Sequence, residues 1–266
     1  MSGSSLSLQK KDVGRKPNHD GIAIYVDGLV VSFDGFKAIN NLSFISEYGK
    51  IHGIIGPNGA GKTTLLNVIT GITKANSGVV LLNHSLDLLR LSVSKRAIEG
   101  IGRKFQKPSV FDWLTVRQNI ELGIRQYPGS LLRELYEGSS KRKRERGDSV
   151  MEVIGLQQAA ERMAGTLSHG QKQWLEIGMV IAREPKVLML DEPVAGMSDA
   201  EREATAALLE RLRSPDRSIL LVEHDMHFVG RVSDHISVLH EGRLLCDGSM
   251  EFVKSNPEVQ QVYFGR

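Results

Sequence analysis

Gly56-Pro57-Asn58-Gly59-Ala60-Gly61-Lys62-Thr63 decides the fold of this chain. The octet fits Gly-x4-Gly-Lys-Thr, and its flanks matter as much as the match. Ile51-His52-Gly53-Ile54-Ile55 ahead of it is a short apolar run of the kind that forms a buried strand. Behind it, Leu65, Leu66 and Ile69 recur on one helical face between Lys62 and Thr70, and Gly71 is a stop signal. Strand, glycine-rich turn and helix in that order make a cradle for phosphate. The glycines let the backbone approach phosphate oxygens, and the N–H groups of the helix start point inward. Lys62 is expected to bring its charge to the β- and γ-phosphates. The Thr63 hydroxyl is expected to ligate Mg²⁺, with Thr64 close by.

A second element completes such a site. Val187-Leu188-Met189-Leu190 and Ile219-Leu220-Leu221-Val222 are uninterrupted apolar runs, which is how the central strands of a parallel sheet read. The first ends in Asp191-Glu192, placing two carboxylates where such a sheet meets its ligand crevice. Asp191 is expected in the Mg²⁺ shell, and Glu192 as the base that polarises the attacking water. His224 follows the second run and is expected to reach the γ-phosphate, and Gln106 both metal and water. Between loop and carboxylates lies Leu167-Ser168-His169-Gly170-Gln171. Ser168 and Gly170 open a helix, and an exposed helix start carries about half a positive charge. A γ-phosphate held by a second subunit would dock there, so two chains would sandwich two nucleotides, and hydrolysis would release them.

The bulk numbers agree. The chain has 266 residues, 41% hydrophobic and 24% charged, enough for one large α/β domain with an insertion or two modest domains. No apolar run approaches the roughly 20 residues that cross a bilayer. Residues 1–20 are Ser-, Lys- and Asn-rich and read as a disordered tail, not a secretory signal. The single cysteine, Cys246, excludes an internal disulfide framework and suits a reducing compartment. A net charge of +3 is too mild to imply nucleic acid. The run Lys141-Arg142-Lys143-Arg144-Glu145-Arg146 reads as a solvated helix face or loop, or as a patch for phospholipid or an acidic partner. Ile22 to Val26 reads as a strand. From about Pro108 to Ala164 the chain becomes helical: Thr115-x-x-Gln118 is a capping box, followed by Leu131, Leu132, Leu135 and then Val150, Val153, Ile154 and Leu156 at helical spacing. After Gln171 a helix carries Trp174, Ile177 and Ile181 on one face.

These residues in this order resemble the ATP-binding-cassette (ABC) ATPases, from about Ile22 to Gln260. The resemblance implies an α/β fold: a P-loop NTPase (RecA-like) core with an antiparallel β subdomain and an inserted helical subdomain. It divides residues 21–266 into core (21–106 and 167–250), helical insertion (107–166) and C-terminal helix and tail (251–266). Gly56 to Thr64 would be the Walker A loop, Gln106 the Q-loop residue, Leu167 to Gln171 the signature, with Ser168, Gly170 and Gln171 facing a partner's nucleotide. Val187 to Glu192 would be Walker B, Ala195 to Asp199 the D-loop, and His224 the switch histidine. Phe33 stands where the family carries an adenine-stacking aromatic; a core phenylalanine is the alternative, with Phe36 and Tyr25 nearby. Two positions depart from the pattern. His169 replaces the usual glycine, either adding a donor toward the partner's phosphate or being a tolerated bulkier residue, and Ser198 takes the D-loop aspartate position with Asp199 following.

Gly-Ile-Gly-Arg-Lys-Phe-Gln (100–106), Glu-Pro-Val-Ala-Gly-Met (192–197) and the ending from Asn256 resemble the branched-chain amino-acid and urea importer branch. What that implies is ATP and Mg²⁺ as ligands, urea as the expected cargo and branched-chain amino acids as the alternative. Implied partners are two membrane permease subunits, a second ATPase subunit (a sister chain or a second copy) and, indirectly, an extracytoplasmic solute-binding protein, with no nucleic acid. The implied place is cytoplasmic, peripheral on the inner face of the membrane. Phe111 and Trp113 would meet the permease, with at least one expected in the subdomain's own core. A non-transport cassette ATPase would carry two cassettes, a long coiled coil or zinc cysteines, and a P-loop kinase would lack Ser-x-Gly-Gln.

Overall fold

Strands β3 (Ile51–Ile55), β7 (Val187–Asp191) and β8 (Ser218–Val222) are buried at every position. Such strands need apolar cover on both faces, and side chains that alternate along a strand deliver it. Ile51, Ile55, Leu188, Leu190, Ile219 and Leu221 enter one core, and Ile54, Val187, Met189, Leu220 and Val222 enter the other. The sheet runs β10-β9-β3-β8-β7-β6, with β6 at Ile101–Lys104, β9 at His235–His240 and β10 at Arg243–Gly248. All pairings are parallel except that of the edge strand β10.

The computed structural model describes residues 21–106, 109–124 and 139–264. The expected tail at 1–20 and the leucines Leu131, Leu132 and Leu135 lie outside the described residues. A second sheet, antiparallel, has the order β2-β1-β4-β5. It is built from β1 (Ile22–Phe33), β2 (Phe36–Glu47), β4 (Ser77–Leu82) and β5 (Leu86–Asp87). Its inward residues, among them Val26, Leu29, Leu42 and Leu82, share a core with Leu65, Leu66 and Ile69 of helix α1 (Lys62–Thr70).

The helices are placed by their caps. Helix α2 (Val93–Glu99) starts on Ser92, whose hydroxyl accepts from the Lys95 amide. Helix α3 (Val116–Gly123) starts on the expected Thr115–Gln118 capping box. Helix α4 (Ser139–Ile154) follows, and Val150, Met151 and Ile154 join Val116, Ile120, Leu175 and Ile177 in one core. Helix α5 (His169–Ile181) opens on a Ser168–Gln171 box, and α6 (Asp199–Leu212) on a Ser198–Glu201 box. Asp225 caps α7 (Met226–Val232), Ser249 caps α8 (Met250–Ser255), and α9 (Pro257–Phe264) follows. On α5, Ile177 and Ile181 are buried while Trp174 stays half-buried, its indole N–H donating to Thr205 Oγ1 at 2.9 Å. The basic run lies on α4, where Arg146 pairs with Glu184 at 3.0 Å and donates to the Ile181 carbonyl at the end of α5. No helix among the described residues is long and apolar enough to cross a membrane.

Candidate active site

Helix α1 stands apart from its neighbours. It starts on Gly61, has no side-chain cap, and has no acidic residue in its first turn. Its first residue is a lysine, the wrong sign for the positive end of a helix dipole. An uncapped start with a cation beside it fits an anion supplied from outside. The loop before it is held in place from both sides. A Cβ at Gly56 would lie 2.3 Å from the Leu239 carbonyl oxygen, and one at Gly61 2.7 Å from that of Ala38, so no larger residue passes there. Thus β2 and the β9–β10 turn wall the loop, and Gly242 N–H donates to the Ala60 carbonyl at 3.2 Å. Pro57, Asn58 and Gly59 form the outer turn, with Ala60 buried, Thr63 exposed and Thr64 half-buried.

Lys62 is buried and folds back over its own loop, Nζ donating to the carbonyls of Gly56 at 2.6 Å and Pro57 at 3.0 Å. Burial pulls its pKa down, and the charges of Glu192, Asp191 and Glu223 oppose that. Loop lysine and strand-end carboxylates therefore share one electrostatic pocket. The register explains it: Ile54 and Asp191 each sit opposite Val222, and Lys104 opposite Leu190, so four strands end in one crevice.

Glu192 takes φ +48, left-handed backbone that a side chain rarely adopts, and its N–H donates to the Val222 carbonyl at 2.9 Å. Its Oε2 accepts from Gln106 Nε2 at 2.8 Å, which unites the expected base with the expected metal-and-water residue. Asp191, the expected Mg²⁺ ligand, has a partner within the chain. Its Oδ2 is engaged by Arg103 Nη2 at 2.8 Å with both side chains buried, and Arg103 Nη1 donates to Asn67 Oδ1 of α1 at 2.7 Å. The guanidinium also lies over the Phe105 ring, 4.7 Å from its centroid. His224 is exposed, its Nδ1 3.8 Å from Glu223 Oε2. Glu223 is fully buried: it accepts from the amides of Val194 at 3.1 Å and His224 at 3.3 Å, and burial raises its pKa. It ties the loop after Glu192 to the loop bearing His224.

Sequence reasoning missed Arg103, Asn67 and Glu223, and also the pair beneath them. Lys104 is wholly buried, with Nζ 3.7 Å from Glu176 on α5. Burial depresses the lysine and raises the glutamate, each opposing the other. Two basic residues in a strand otherwise bound for the interior were the available signal, since a buried cation demands an acid.

Ser168, Gly170 and Gln171 lie on another surface. The Ser168 hydroxyl accepts from the Gln171 amide at 3.2 Å, and Gln171 Oε1 accepts from the Ser168 amide at 3.1 Å. Among the described residues none of the three bonds to the phosphate loop. His169 stays exposed, with its Nε2 3.1 Å from the Ala195 carbonyl, so that nitrogen donates within the chain. Ser198, at the departed D-loop position, caps α6. Phe33 is 48% exposed at the β1–β2 hairpin, opposite Phe36, which removes the core alternative. Phe111 and Trp113 pack edge to face at 5.7 Å and, against expectation, neither is buried; Trp113 is 71% exposed. Asn119 fixes their loop, accepting from the Phe111 amide at 2.8 Å and donating to the carbonyls of Phe111 and Thr115.

Known proteins match this arrangement. The model of the ABC transporter family matches residues 39–195. The high-affinity branched-chain amino acid transport ATP-binding protein BraF of Pseudomonas aeruginosa is 36% identical, over 90% of this chain and 96% of its own length. LivG of Escherichia coli, described in the same words, is 35% identical over the same shares. Among solved structures, the ADP conformation of MJ1267, an ATP-binding cassette of an ABC transporter, superposes with a TM-score of 0.81 at 30% identity, covering 92% of this chain and 99% of that one. The uncapped phosphate helix, the carboxylate pair at the end of β7 and these matches agree: the chain belongs to the ABC transporter family and is one of its ATPase cassettes.

Proposed function

We propose that this chain is the ATP-hydrolysing subunit of a membrane importer for branched-chain amino acids. The observation that carries the cargo is the likeness to BraF and LivG along 90% of the chain. That likeness supports the amino-acid alternative over urea, the cargo placed first by sequence. No residue of the site would touch either solute, since the pocket is built for phosphate.

In this reading the β- and γ-phosphates lie on the start of α1, and Lys62 leaves the carbonyls of Gly56 and Pro57 to meet them. Phe33 at the hairpin tip stacks on the adenine, worth about 1–3 kcal/mol. Thr63, Gln106 and Asp191 offer hard oxygen donors, the set that suits Mg²⁺, which would supply positive charge to the phosphates. Glu192 holds the water and takes its proton, His224 reaches the γ-phosphate, and Ser168, Gly170 and Gln171 receive a nucleotide held by a second ATPase chain. Phe111 and Trp113 would meet a permease helix on the cytoplasmic face of the membrane. The helical insertion, of which residues 109–124 and 139–166 are described, would then be the permease-facing unit beside the core.

The test is copurification with the neighbouring permeases, reconstitution, and ATPase assay with leucine and urea in parallel. Stimulation by leucine alone is expected. Stimulation by urea alone overturns the cargo, and absence of hydrolysis overturns the site.

A further inference from the structure

At the other end of the large sheet, away from the phosphate loop, a second polar cluster lies on one sheet face. His52 of β3 sits directly opposite His235 of β9, and Ser237, two residues along β9, sits opposite Asp247 of β10. Side chains two apart on a strand share a face, so three adjacent strands direct four polar groups to one point. His235 Nε2 is 2.8 Å from Asp247 Oδ2. Ser237 Oγ is 2.7 Å from His52 Nε2 and 2.5 Å from Asp247 Oδ1. The two imidazoles lie 5.1 Å apart between centroids, and the Phe44 ring packs edge-on against His52 at 5.6 Å, fixing the buried member.

We propose that His52, His235 and Asp247 form a binding site for a divalent transition-metal ion of the zinc class, with the Ser237 hydroxyl or water completing its shell. One ligand atom from each of the three residues lies within 4.8 Å of the other two, the one such group of His, Cys, Asp and Glu among the described residues. Ligands about 2.1 Å from one ion stand roughly 3.4 Å apart in a tetrahedron. Closing the difference falls to His235 and Asp247, whose side chains are 40% and 37% exposed and would exchange their mutual contact for the ion, while His52 stays buried. Ser237 Oγ now bridges His52 Nε2 and Asp247 Oδ1, and its hydroxyl would turn aside to let an ion lie between them. Two imidazoles and one carboxylate select zinc, nickel or copper over magnesium or calcium, which prefer oxygen alone. A bound ion would pin β3, β9 and β10 together. The β9–β10 turn is the one whose Gly242 bonds to Ala60 of the phosphate loop, so the clamp would brace that wall of the nucleotide pocket from its far end.

The experiment titrates Zn²⁺ into full-length, tag-free, nucleotide-free chain by calorimetry, with melting temperature read in parallel. The proposal expects one saturable equivalent and a rise in Tm. His235→Ala and Asp247→Asn, both at the exposed rim, should each weaken binding about tenfold or more. Cys246→Ser should leave it unchanged, and equimolar Mg²⁺ should not compete. Failure of the wild-type chain to bind zinc saturably, zinc affinity unaltered in both rim variants, or displacement by Mg²⁺ would each overturn it.

Discussion

The Glu201 carboxylate of α6 bridges two helix starts: its Oε2 accepts from Ser198 N and Oγ at 3.0 Å, and its Oε1 lies 3.3 Å from the Ser168 hydroxyl at the head of α5. The Gly170 amide also holds this carboxylate, and with Ser198 and Ser168 it keeps the acid ionised to lower pH than usual. An acid therefore stands where the proposed sandwich would seat a partner's γ-phosphate. Glu201→Gln keeps the capping box and removes the charge. It should lower the KM for ATP of the assembled transporter by roughly two- to five-fold, the scale of one exposed charge contact. A KM unchanged across a range of salt would refute competition at that position.

Glu192→Gln should bind ATP normally and hydrolyse it roughly 10²–10⁴-fold more slowly. Single-turnover measurement with bound nucleotide separates the two steps. Wild-type turnover would remove Glu192 as the base and leave its contact with Gln106 as structural.

Lys104 and Glu176 form a buried pair, so removing one partner strands the other. Lys104→Met alone should cost about 3–5 kcal/mol in denaturant unfolding, while Lys104→Met with Glu176→Leu should recover much of that loss. Equal destabilisation by the single and the double variant would contradict the pairing.

Asn119 offers a second stability test. Its side chain holds the loop bearing Phe111 and Trp113 through bonds in both directions. Asn119→Ala should lower stability by about 1–3 kcal/mol and make the 109–115 segment more susceptible to proteolysis. Basal ATPase should persist while cargo stimulation falls, and loss of both together would argue against a separate coupling loop.

Much of this was legible in the residues because it is local. The phosphate loop, the stop at Gly71, the Thr115–Gln118 capping box and the all-apolar strands are written within a few positions of one another, and β3 and α1 fall where the spacing places them. What escaped joins distant segments. Arg103 and Asp191 are 88 residues apart, and their meeting depends on the register of β6 against β7, which no local pattern encodes. The partner of His169 was likewise not legible, since the carbonyl it donates to, that of Ala195, lies 26 residues away on another loop. Phe111 and Trp113 look like core residues by composition; their exposure follows from a loop whose shape Asn119 dictates.

The left-handed turn at Glu192 carries a last consequence. An L-residue held there gives up about 1–2 kcal/mol relative to glycine, and the Val222 carbonyl keeps it from relaxing. Glu192→Gly should then yield a hardier protein that does no chemistry, a trade between endurance and work. The chain tolerates an ill-fitting backbone at the carboxylate proposed to face the water.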